Sequence, residues 1–289
     1  MLFVGLVLSS CGVDSGTTGD NSCYSNGSAL TLMHDDIERE YLLYLPDSYD
    51  PGTPAPVVLN FHGFGDQAST YLLSADMRPV ADTAGCILVY PQGSCSNGAS
   101  HWNPCPIGGD NKSTADDAGF VEALLNEIAS QYQVDMDRIY AIGYSNGGMM
   151  AYGLAQYKSE LIAAVASVSG AMLDCRGSIS HPMPVLHLHG TSDGVIPYNG
   201  NSAYSSVQEV LDFWVNVNQT NTTPAVSTDT SGTRTIEQYV YDEGERGVSV
   251  AHYKYLGGDH VWFGERFQGL STASLIWEFL SRYDLNGLR

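Results

Sequence analysis

One segment, RIYAIGYSNGGMMAY at residues 138–152, constrains the fold of this chain more than any other. Its first part, RIYAI, predicts a short strand, and its last part, MMAY, favours a helix. Between them GYSNG, residues 143–147, matches G-x-S-x-G. In this context the motif is typical of a sharp turn that exposes its serine at the carboxyl edge of a sheet. Small-residue turns also match it by chance, but the strand–turn–helix context predicts that Ser145 is a nucleophile.

Strands alternate with helices along the rest of the chain. Two apolar runs, VVLNF at residues 57–61 and CILVY at 86–90, predict strands buried on both faces of a mostly parallel sheet. Residues 115–132 repeat apolar side chains at the helical period. This alternation predicts a doubly wound α/β sheet with right-handed crossovers. We expect one domain over residues 28–289, with no lid domain.

The remaining elements are shorter or less periodic. Residues 235–241 and 248–256 alternate and predict two strands that pair across the turn between them. Residues 218–232 are polar and predict irregular structure. The other predicted strands are 28–33, 39–45, 163–169 and 184–189, and the other predicted helices are 69–84, 205–217 and 270–283.

A serine nucleophile needs a base to take its proton and an acid to orient that base. VLHLHGTSD, residues 185–193, predicts a strand running into a turn, which places Asp193 at the carboxyl edge of the sheet. Asp174, beside a cysteine in a small-residue loop, and Asp212, inside a predicted helix, are weaker candidates. We predict that Asp193 is the acid, and a solvated turn aspartate is the alternative.

His260 is the predicted base. It follows Gly-Gly-Asp in a loop beyond a strand, where a base can reach over the nucleophile. His187, His189 and His252 lie within predicted strands, so their side chains point across the faces of the sheet. His181 precedes the acid, and the order nucleophile, acid, base disfavours it.

An acyl-transfer enzyme also needs N–H donors for the oxyanion of its tetrahedral intermediate. We predict that one donor is the backbone N–H of Asn146, directly after the nucleophile. The other is expected from HGFG at residues 62–65, after an early strand. The N–H of Phe64 is the first candidate and that of Gly65 the second, and an ordinary glycine turn is the alternative.

Four motifs together resemble the secreted polyhydroxybutyrate depolymerase and feruloyl esterase-like family of α/β-hydrolases. They are NFHG at 60–63, GYSNGGM at 143–149, HGTSD at 189–193 and GGDHVW at 257–262. The resemblance covers residues 28–283. It implies a lidless single-domain α/β-hydrolase that cleaves extracellular carboxylic esters through an acyl-enzyme, with Ser145, Asp193 and His260 as its triad and with no cofactor.

Two departures from the family bear on the substrate. Members often have H-x-W-P-G where this chain has HVWFG at residues 260–264, and many depolymerases have cysteine where this chain has Phe64. An aromatic side chain there suits an aromatic acyl group. We therefore expect feruloyl or acetyl esters of plant cell walls, or small aliphatic esters. A short-chain polyester substrate is the alternative, and a catalytically silent surface-binding lipoprotein on this scaffold is a third hypothesis.

Two tryptophans are candidate substrate contacts. Trp102 lies in a long loop, residues 92–114, and Trp262 lies two positions after His260. Aromatic rings bind flat sugars and phenolic rings well when they are exposed. Packing in the core is the alternative for each.

The charge of the chain limits its partners. With 12 basic and 32 acidic residues its net charge is −20. Nucleic-acid phosphates need Lys and Arg, so we expect no nucleic-acid partner. We expect a monomer whose partner is the ester substrate.

The first residues are similar to an export signal. Residues 1–10, MLFVGLVLSS, form an apolar run too short to span a bilayer. LSSC at residues 8–11 resembles the bacterial lipobox, in which Cys11 would be lipidated. The usual basic residues are missing, so the alternatives are a true start upstream of Met1 or a chance match. Residues 11–27 predict a flexible tether. We expect an exported protein, extracellular, periplasmic or at the cell surface, that contacts a membrane only through a lipid on Cys11.

Besides Cys11 the chain has five cysteines: Cys23, Cys86, Cys95, Cys105 and Cys175. An exported chain permits disulfides. Cys95 and Cys105 bracket a loop rich in Gly, Asn and Pro and are the expected pair. Cys86, at the head of an apolar strand, is expected to be free. No C-x-x-C or H-x-x-x-H spacing suggests zinc, and we expect no metal.

Overall fold

The computed structural model describes Cys23 and residues 29–106, 111–175, 177–230 and 232–289. The predicted export signal, the lipidation site Cys11 and, apart from Cys23, the predicted tether lie outside these residues. Across the described ranges, no helix combines the length and the apolar character needed to cross a bilayer.

The strands and helices alternate as the sequence pattern predicts. The helices are α1 Ala68–Ser74, α2 Arg78–Ala84, α3 Asp117–Gln131, α4 Asn146–Tyr157, α5 Val207–Asn218 and α6 Thr272–Leu280. The strands are β1 Leu30–His34, β2 Ile37–Tyr44, β3 Ala55–Phe61, β4 Ile87–Pro91, β5 Ser94–Ser96, β6 Ala99–His101, β7 Val134–Tyr144, β8 Ala164–Val168, β9 Val185–Gly190, β10 Ala225–Asp229, β11 Ile236–Tyr241, β12 Val250–Tyr255, β13 Tyr283–Asp284 and β14 Gly287–Leu288.

One sheet organises the domain, with the strand order β1-β2-β4-β3-β7-β8-β9-β12-β11-β10. The central strands from β4 to β12 run parallel, and antiparallel strands flank them on both sides. One core cluster joins the sheet to α3, α4 and α5, and a second joins it to α1, α2 and α6. The predicted doubly wound α/β architecture is therefore confirmed.

The central strands show why their sequences are continuously apolar. In β3, Val57, Leu59 and Phe61 pack into the first cluster while Val58 packs into the second. All seven residues of this strand are buried. A strand covered by helices on both faces has no solvent side, so it cannot alternate between apolar and polar residues.

Two predictions of local structure differ from the observed elements. Residues 218–232 were expected to be irregular, but β10 lies there and pairs antiparallel with β11. It is an edge strand with mostly exposed side chains, so its sequence carries no apolar signal. The helix predicted at 69–84 is two helices, because Pro79 sits in the first turn of α2. The predicted pairing of β11 with β12 is confirmed.

The disulfides fasten the long loop to distant parts of the chain. Cys95 is bonded to Cys23 and Cys105 to Cys175, so the predicted Cys95–Cys105 pair is wrong. The β5–β6 hairpin already closes this loop locally with its own backbone pairing, and both bridges instead reach outside it. Cys86 is free and buried, as predicted.

Removing the bridge between Cys105 and Cys175 should destabilise the fold. The bridge spans 70 residues of sequence, and cross-links of this kind stabilise by about 2–4 kcal/mol, largely by restricting the unfolded chain. We expect the double variant Cys105→Ala/Cys175→Ala to lose that much free energy of unfolding in urea titrations. A reducing agent should lower the stability of the double variant only by breaking the remaining bridge, Cys23–Cys95. A double variant as stable as the wild type would contradict the assignment.

Candidate active site

Ser145 lies on a strained turn between β7 and α4. Its backbone has φ 53° and ψ −119°, a conformation that costs energy for a residue with a Cβ. A Cβ on Gly143 would overlap the backbone of Gly147, and a Cβ on Gly147 would overlap the carbonyl of Phe61. Both positions therefore need glycine, and the tight packing holds the serine at the edge of the sheet.

The structure brings the three predicted triad side chains together. His260 Nε2 lies 2.9 Å from Ser145 Oγ, and His260 Nδ1 lies 2.8 Å from Asp193 Oδ2. Because the carboxylate can only accept, the Nδ1–H donates to it, which leaves the Nε2 lone pair for the serine hydroxyl. This is the hydrogen-bonded order that activates a serine.

The Asp193 side chain is completely buried. Its Oδ1 accepts the backbone N–H groups of Val195 and Ile196 at 2.9 and 2.8 Å. Its Oδ2 lies 2.8 Å from His260 Nδ1 and 3.2 Å from His189 Nε2. Burial alone would raise the pKa of this carboxyl, but the hydrogen bonds from His189, His260 and the two backbone N–H groups outweigh it and lower the pKa. The group is therefore ionised at neutral pH.

The segments of the two predicted oxyanion donors adjoin the serine turn: Asn146 follows Ser145 directly, and a Cβ on Gly63, next to Phe64, would lie 3.6 Å from the Cβ of Ser145. Asn146 is the first residue of α4, and the first N–H groups of a helix have no acceptor within it. In the other loop the N–H of Gly65 already donates to the carbonyl of Ser100 at 2.8 Å. Of the two candidates in that loop, Gly65 is therefore occupied, which favours Phe64.

Trp102 does not contact solvent, so the prediction that it binds substrate is wrong. It is fully buried, and its ring packs edge-on against Phe61 with 5.0 Å between the ring centres. Its indole N–H donates to the carbonyl of His62 at 3.0 Å. Its backbone N–H and carbonyl bond reciprocally to the side chain of Asn146, at 2.7 and 3.1 Å. Trp102 thus ties the long loop to both predicted oxyanion segments.

His62 fixes the loop that carries Phe64. Its Nδ1 lies 2.7 Å from the carbonyl of Gly63, and its Nε2 accepts the N–H of Gly93 at 2.9 Å. Complete burial lowers the pKa of His62 to about 4, although the hydrogen bond to Gly63 partly opposes this shift. The ring is therefore neutral at physiological pH and acts as a fixed brace.

Two aromatic side chains at the site keep exposed surface. Phe64 is 55% exposed. Trp262 is partly exposed, and its ring packs edge-on against Tyr71 with 6.0 Å between the ring centres. Contact of Trp262 with a substrate stays a prediction from the sequence.

Sequence reasoning missed two residues that support the site. The Tyr144 hydroxyl donates to the backbone carbonyl of His260 at 2.9 Å, and the two rings lie 5.2 Å apart. His189 contacts Asp193, although its place within a strand argued against a role. An aromatic residue directly before the serine, and a histidine four positions before the acid, were the available signals.

Within the described residues, one group has the spacing of metal ligands. His34 Nε2 lies 3.7 Å from Asp35 Oδ2 and 3.6 Å from Asp116 Oδ2. Asp116 already caps α3 by accepting the N–H of Gly119, and both carboxylates are exposed. Exposed acidic groups are common without an ion, and we assign no metal to this group.

A mostly parallel sheet with a nucleophile turn after a central strand is the architecture of the α/β-hydrolases. Residues 50–241 match the phospholipase/carboxylesterase family, and the chain belongs to this family. In the solved structures, an acetyl xylan esterase from Aspergillus awamori superposes with a TM-score of 0.65 at 15% identity, covering 88% of this chain and 99% of that one. This likeness shows the fold.

Curated relatives are named for ester hydrolysis. The chain is 26% identical to a bifunctional acetylxylan esterase/xylanase of Neocallimastix patriciarum, over 86% of this chain and 34% of the relative. It is 26% identical to feruloyl esterase B of Piromyces equi, over 86% and 46%. It is 25% identical to feruloyl esterase C of Emericella nidulans, over 78% and 82%. The chain thus spans less than half of the first two and most of the third.

The buried histidines should make the fold sensitive to mild acid. Burial lowers the pKa of His62 to about 4 and that of His252 to about 3, and it lowers the pKa of His187 as well. In the unfolded chain these groups take up protons below pH ~6.5, so between pH ~6.5 and 4 the unfolded state binds more protons. We expect the free energy of unfolding to fall as pH falls through this window, by up to about 1.4 kcal/mol per pH unit for each histidine.

Urea unfolding at a series of pH values measures this slope. His252→Phe removes one of the three groups, so its slope between pH 6.5 and 4 should be shallower whatever its absolute stability. An identical slope in His252→Phe would mean that His252 does not carry this proton linkage.

Proposed function

We propose that this protein is a serine carboxylic-ester hydrolase with Ser145 as nucleophile, His260 as base and Asp193 as acid. The observation that carries the proposal is the continuous hydrogen-bonded row Ser145 Oγ–His260–Asp193, with contacts of 2.9 and 2.8 Å. Membership of the phospholipase/carboxylesterase family supports it. A catalytically silent protein has no need of a strained serine turn with this geometry.

The reaction follows from the geometry. His260 Nε2 takes the proton of Ser145 Oγ as the oxygen attacks the ester carbonyl carbon. The carbonyl oxygen becomes an oxyanion, which accepts the N–H groups of Asn146 and Phe64. The imidazolium then gives its proton to the leaving alkoxide, which departs as the alcohol and leaves an acyl-serine. Water repeats the sequence, and the carboxylic acid is released.

Asp193 and Tyr144 keep the base in place during these proton transfers. The ionised carboxylate of Asp193 stabilises the imidazolium that forms on His260, at a Nδ1–Oδ2 distance of 2.8 Å. The hydroxyl of Tyr144 donates to the backbone carbonyl of His260 and so holds the loop that carries the base. The nucleophile turn and the base loop are thereby linked by the residue that precedes the serine.

The substrate we propose is a feruloyl or acetyl ester of plant cell walls, or a small ester. The names of the relatives support this class. Phe64 presents an exposed ring next to its own N–H. Two further apolar side chains are exposed: Val195, two positions after Asp193 in the sequence, and Val261, directly after His260. This apolar rim suits an aromatic acyl group. No observation favours a polyester over these esters.

We also propose that the protein is exported. Two disulfides join described cysteines, and such bonds persist in oxidising compartments outside the cytosol. Lipidation of Cys11 stays a prediction from the sequence.

Ser145→Ala should remove activity and leave the fold intact, because the partly exposed hydroxyl contributes little packing. We expect hydrolysis of 4-nitrophenyl acetate below about one part in 10³ of the wild type, given the usual cost of losing a triad residue. The wild type should be labelled at Ser145 by a fluorophosphonate probe, and the variant should not. Circular dichroism and thermal unfolding check the fold.

Asp193→Asn and Asp174→Asn form a matched pair of substitutions for the same test. We expect the first to lose up to about 10⁴ in turnover by analogy with the serine protease triad, and the second to remain active. A nearly active Asp193→Asn beside an inactive Asp174→Asn would show that the acid is misassigned.

Substrate choice tests the aromatic contacts. An aromatic acyl group stacked on Phe64 and Trp262 gains about 0.5–1.5 kcal/mol per ring beyond burial, and tenfold in specificity corresponds to about 1.4 kcal/mol. We therefore expect kcat/KM for methyl ferulate to exceed that for methyl acetate by roughly one to two decades. The ratio should shrink in Trp262→Ala and stay unchanged in Val226→Ala, which truncates an exposed apolar residue of the edge strand β10. An unchanged ratio in Trp262→Ala would point to a generalist aliphatic esterase.

A further inference from the structure

A row of buried polar side chains continues from Asp193 away from Ser145. His189 Nε2 lies 3.2 Å from Asp193 Oδ2. His189 Nδ1 lies 3.1 Å from His187 Nε2, and His187 Nδ1 lies 2.7 Å from the hydroxyl of Tyr152. None of the three residues is more than 1% exposed. The row therefore links α4, through β9, to the carboxylate of the site.

The hydrogen-bond partners define the direction of every proton in the neutral row. His189 Nε2 faces Asp193 Oδ2 and the carbonyl of Ile196, at 3.2 and 2.9 Å, and both oxygens only accept. The Nε2 therefore carries the hydrogen, and His189 Nδ1 is an acceptor. His187 must then donate from Nε2, which makes its Nδ1 the acceptor of the Tyr152 O–H. All donors in the row point towards Asp193.

The contact from His189 completes the hydrogen bonding of the carboxylate. A carboxylate offers about four acceptor sites. The Oδ1 of Asp193 accepts the N–H groups of Val195 and Ile196, and its Oδ2 accepts the Nδ1–H of His260. The same Oδ2 lies 3.2 Å from His189 Nε2, whose hydrogen is shared with the carbonyl of Ile196 at 2.9 Å. Loss of the His189 N–H would remove one of the two N–H groups that face Oδ2 and would free that side of the carboxylate to turn.

We propose that His189 is a positioning residue of the esterase site. Its Nε2–H keeps Asp193 Oδ2 in line with the Nδ1–H of His260, and the hydrogen bond from His187, itself oriented by Tyr152, supports this tautomer of His189. The inference rests on the proposed function, and it assigns roles to three residues outside the triad.

Burial raises the pKa of Tyr152 and lowers that of His187, so these two members of the row stay neutral near neutral pH and act as a fixed support. Burial lowers the pKa of His187, and the neighbouring His189 and His252 rings lower it further. His252 itself is neutral, with burial the main cause of its low pKa. The titratable groups that face Asp193, His189 and His260 from the surrounding elements are Tyr144, Tyr198, His187, His252 and Asp259.

A purely structural role is the competing explanation. The shorter contact of His189 Nε2 is to the carbonyl of Ile196, at 2.9 Å, and a residue that only anchored this turn would make the same bond. The two roles differ in what they do to the carboxylate. A support for Asp193 affects turnover and its pH dependence, whereas an anchor for the turn affects stability alone.

The pair His189→Gln and His189→Leu separates these roles. The amide nitrogen of glutamine can take the place of Nε2 and donate to Asp193, whereas leucine fills the space without a donor. For His189→Leu we expect kcat to fall about ten- to hundredfold, as for the loss of a hydrogen bond to a charged group, with KM within about twofold. The midpoint of the acidic limb of kcat/KM should move to higher pH, because a carboxylate with fewer donors attracts the His260 proton more strongly. His189→Gln should keep most of kcat and the wild-type midpoint.

Tyr152→Phe and Tyr198→Phe test the row even where His189→Leu does not fold. Each removes only a hydroxyl bonded to a buried histidine, at 2.7 Å from His187 and 2.9 Å from His252. Tyr152 lies in the row, whereas Tyr198 lies outside it. Without the Tyr152 hydroxyl, His187 can reverse its tautomer and cease to donate to His189. We expect Tyr152→Phe to lower kcat about two- to fivefold and to move the midpoint of the acidic limb of kcat/KM to higher pH. Tyr198→Phe should leave kcat and this midpoint unchanged.

Three results would overturn the inference. They are a folded His189→Leu with wild-type kcat, an equal loss in His189→Leu and His189→Gln with no midpoint shift, and no difference between Tyr152→Phe and Tyr198→Phe. Failure of the proposed function is distinguishable, because Ser145→Ala would then keep its activity. Failure of this inference alone leaves Ser145→Ala inactive.

Discussion

The close approach of backbones at the serine turn is the constraint on which the site depends. Phe61, at the end of β3, pairs with Gly143 at the end of β7, and the backbone of Gly147 in α4 lies against the carbonyl of Phe61. Only residues without a Cβ allow this packing. It places the end of β3, which leads into the Phe64 loop, directly beside the first N–H of α4. One contact therefore helps to position Ser145, the proposed nucleophile, and the two segments that carry the proposed oxyanion donors.

The sequence predicted the parts of the site that local chemistry determines. Ser145 lies in a motif whose glycines are required by backbone packing, and Asp193 and His260 each follow a strand at the carboxyl edge of a parallel sheet. Strand order then brings these edges together. The alternating helices and apolar strands, such as β3, likewise carried a clear periodic signal.

The remaining features depend on tertiary partners that no local pattern records. The edge strand β10 has no apolar signal, and the Cys95–Cys105 pairing failed because the β5–β6 hairpin closes the loop without it. Trp102 is in a loop dense in glycine and asparagine, where exposure was expected, but it packs against Phe61. His189 was set aside because strand residues point across the sheet. In β9 the side chains of His187 and His189 do point this way, and they form a buried hydrogen-bonded row that ends at Asp193.

The burial of Trp102 changes how the long loop contributes to the site. Its indole N–H and backbone engage His62 and Asn146, the segments that flank the proposed oxyanion position. Two disulfides hold the same loop to the rest of the chain. Within residues 92–106 the two bridges and these hydrogen bonds anchor the loop to the rest of the chain. We therefore propose that this part of the loop supports the oxyanion segments and does not close over the substrate. The proposed substrate contacts are then the exposed ring of Phe64 and the partly exposed ring of Trp262, on the segments that carry the second proposed oxyanion donor and the proposed base.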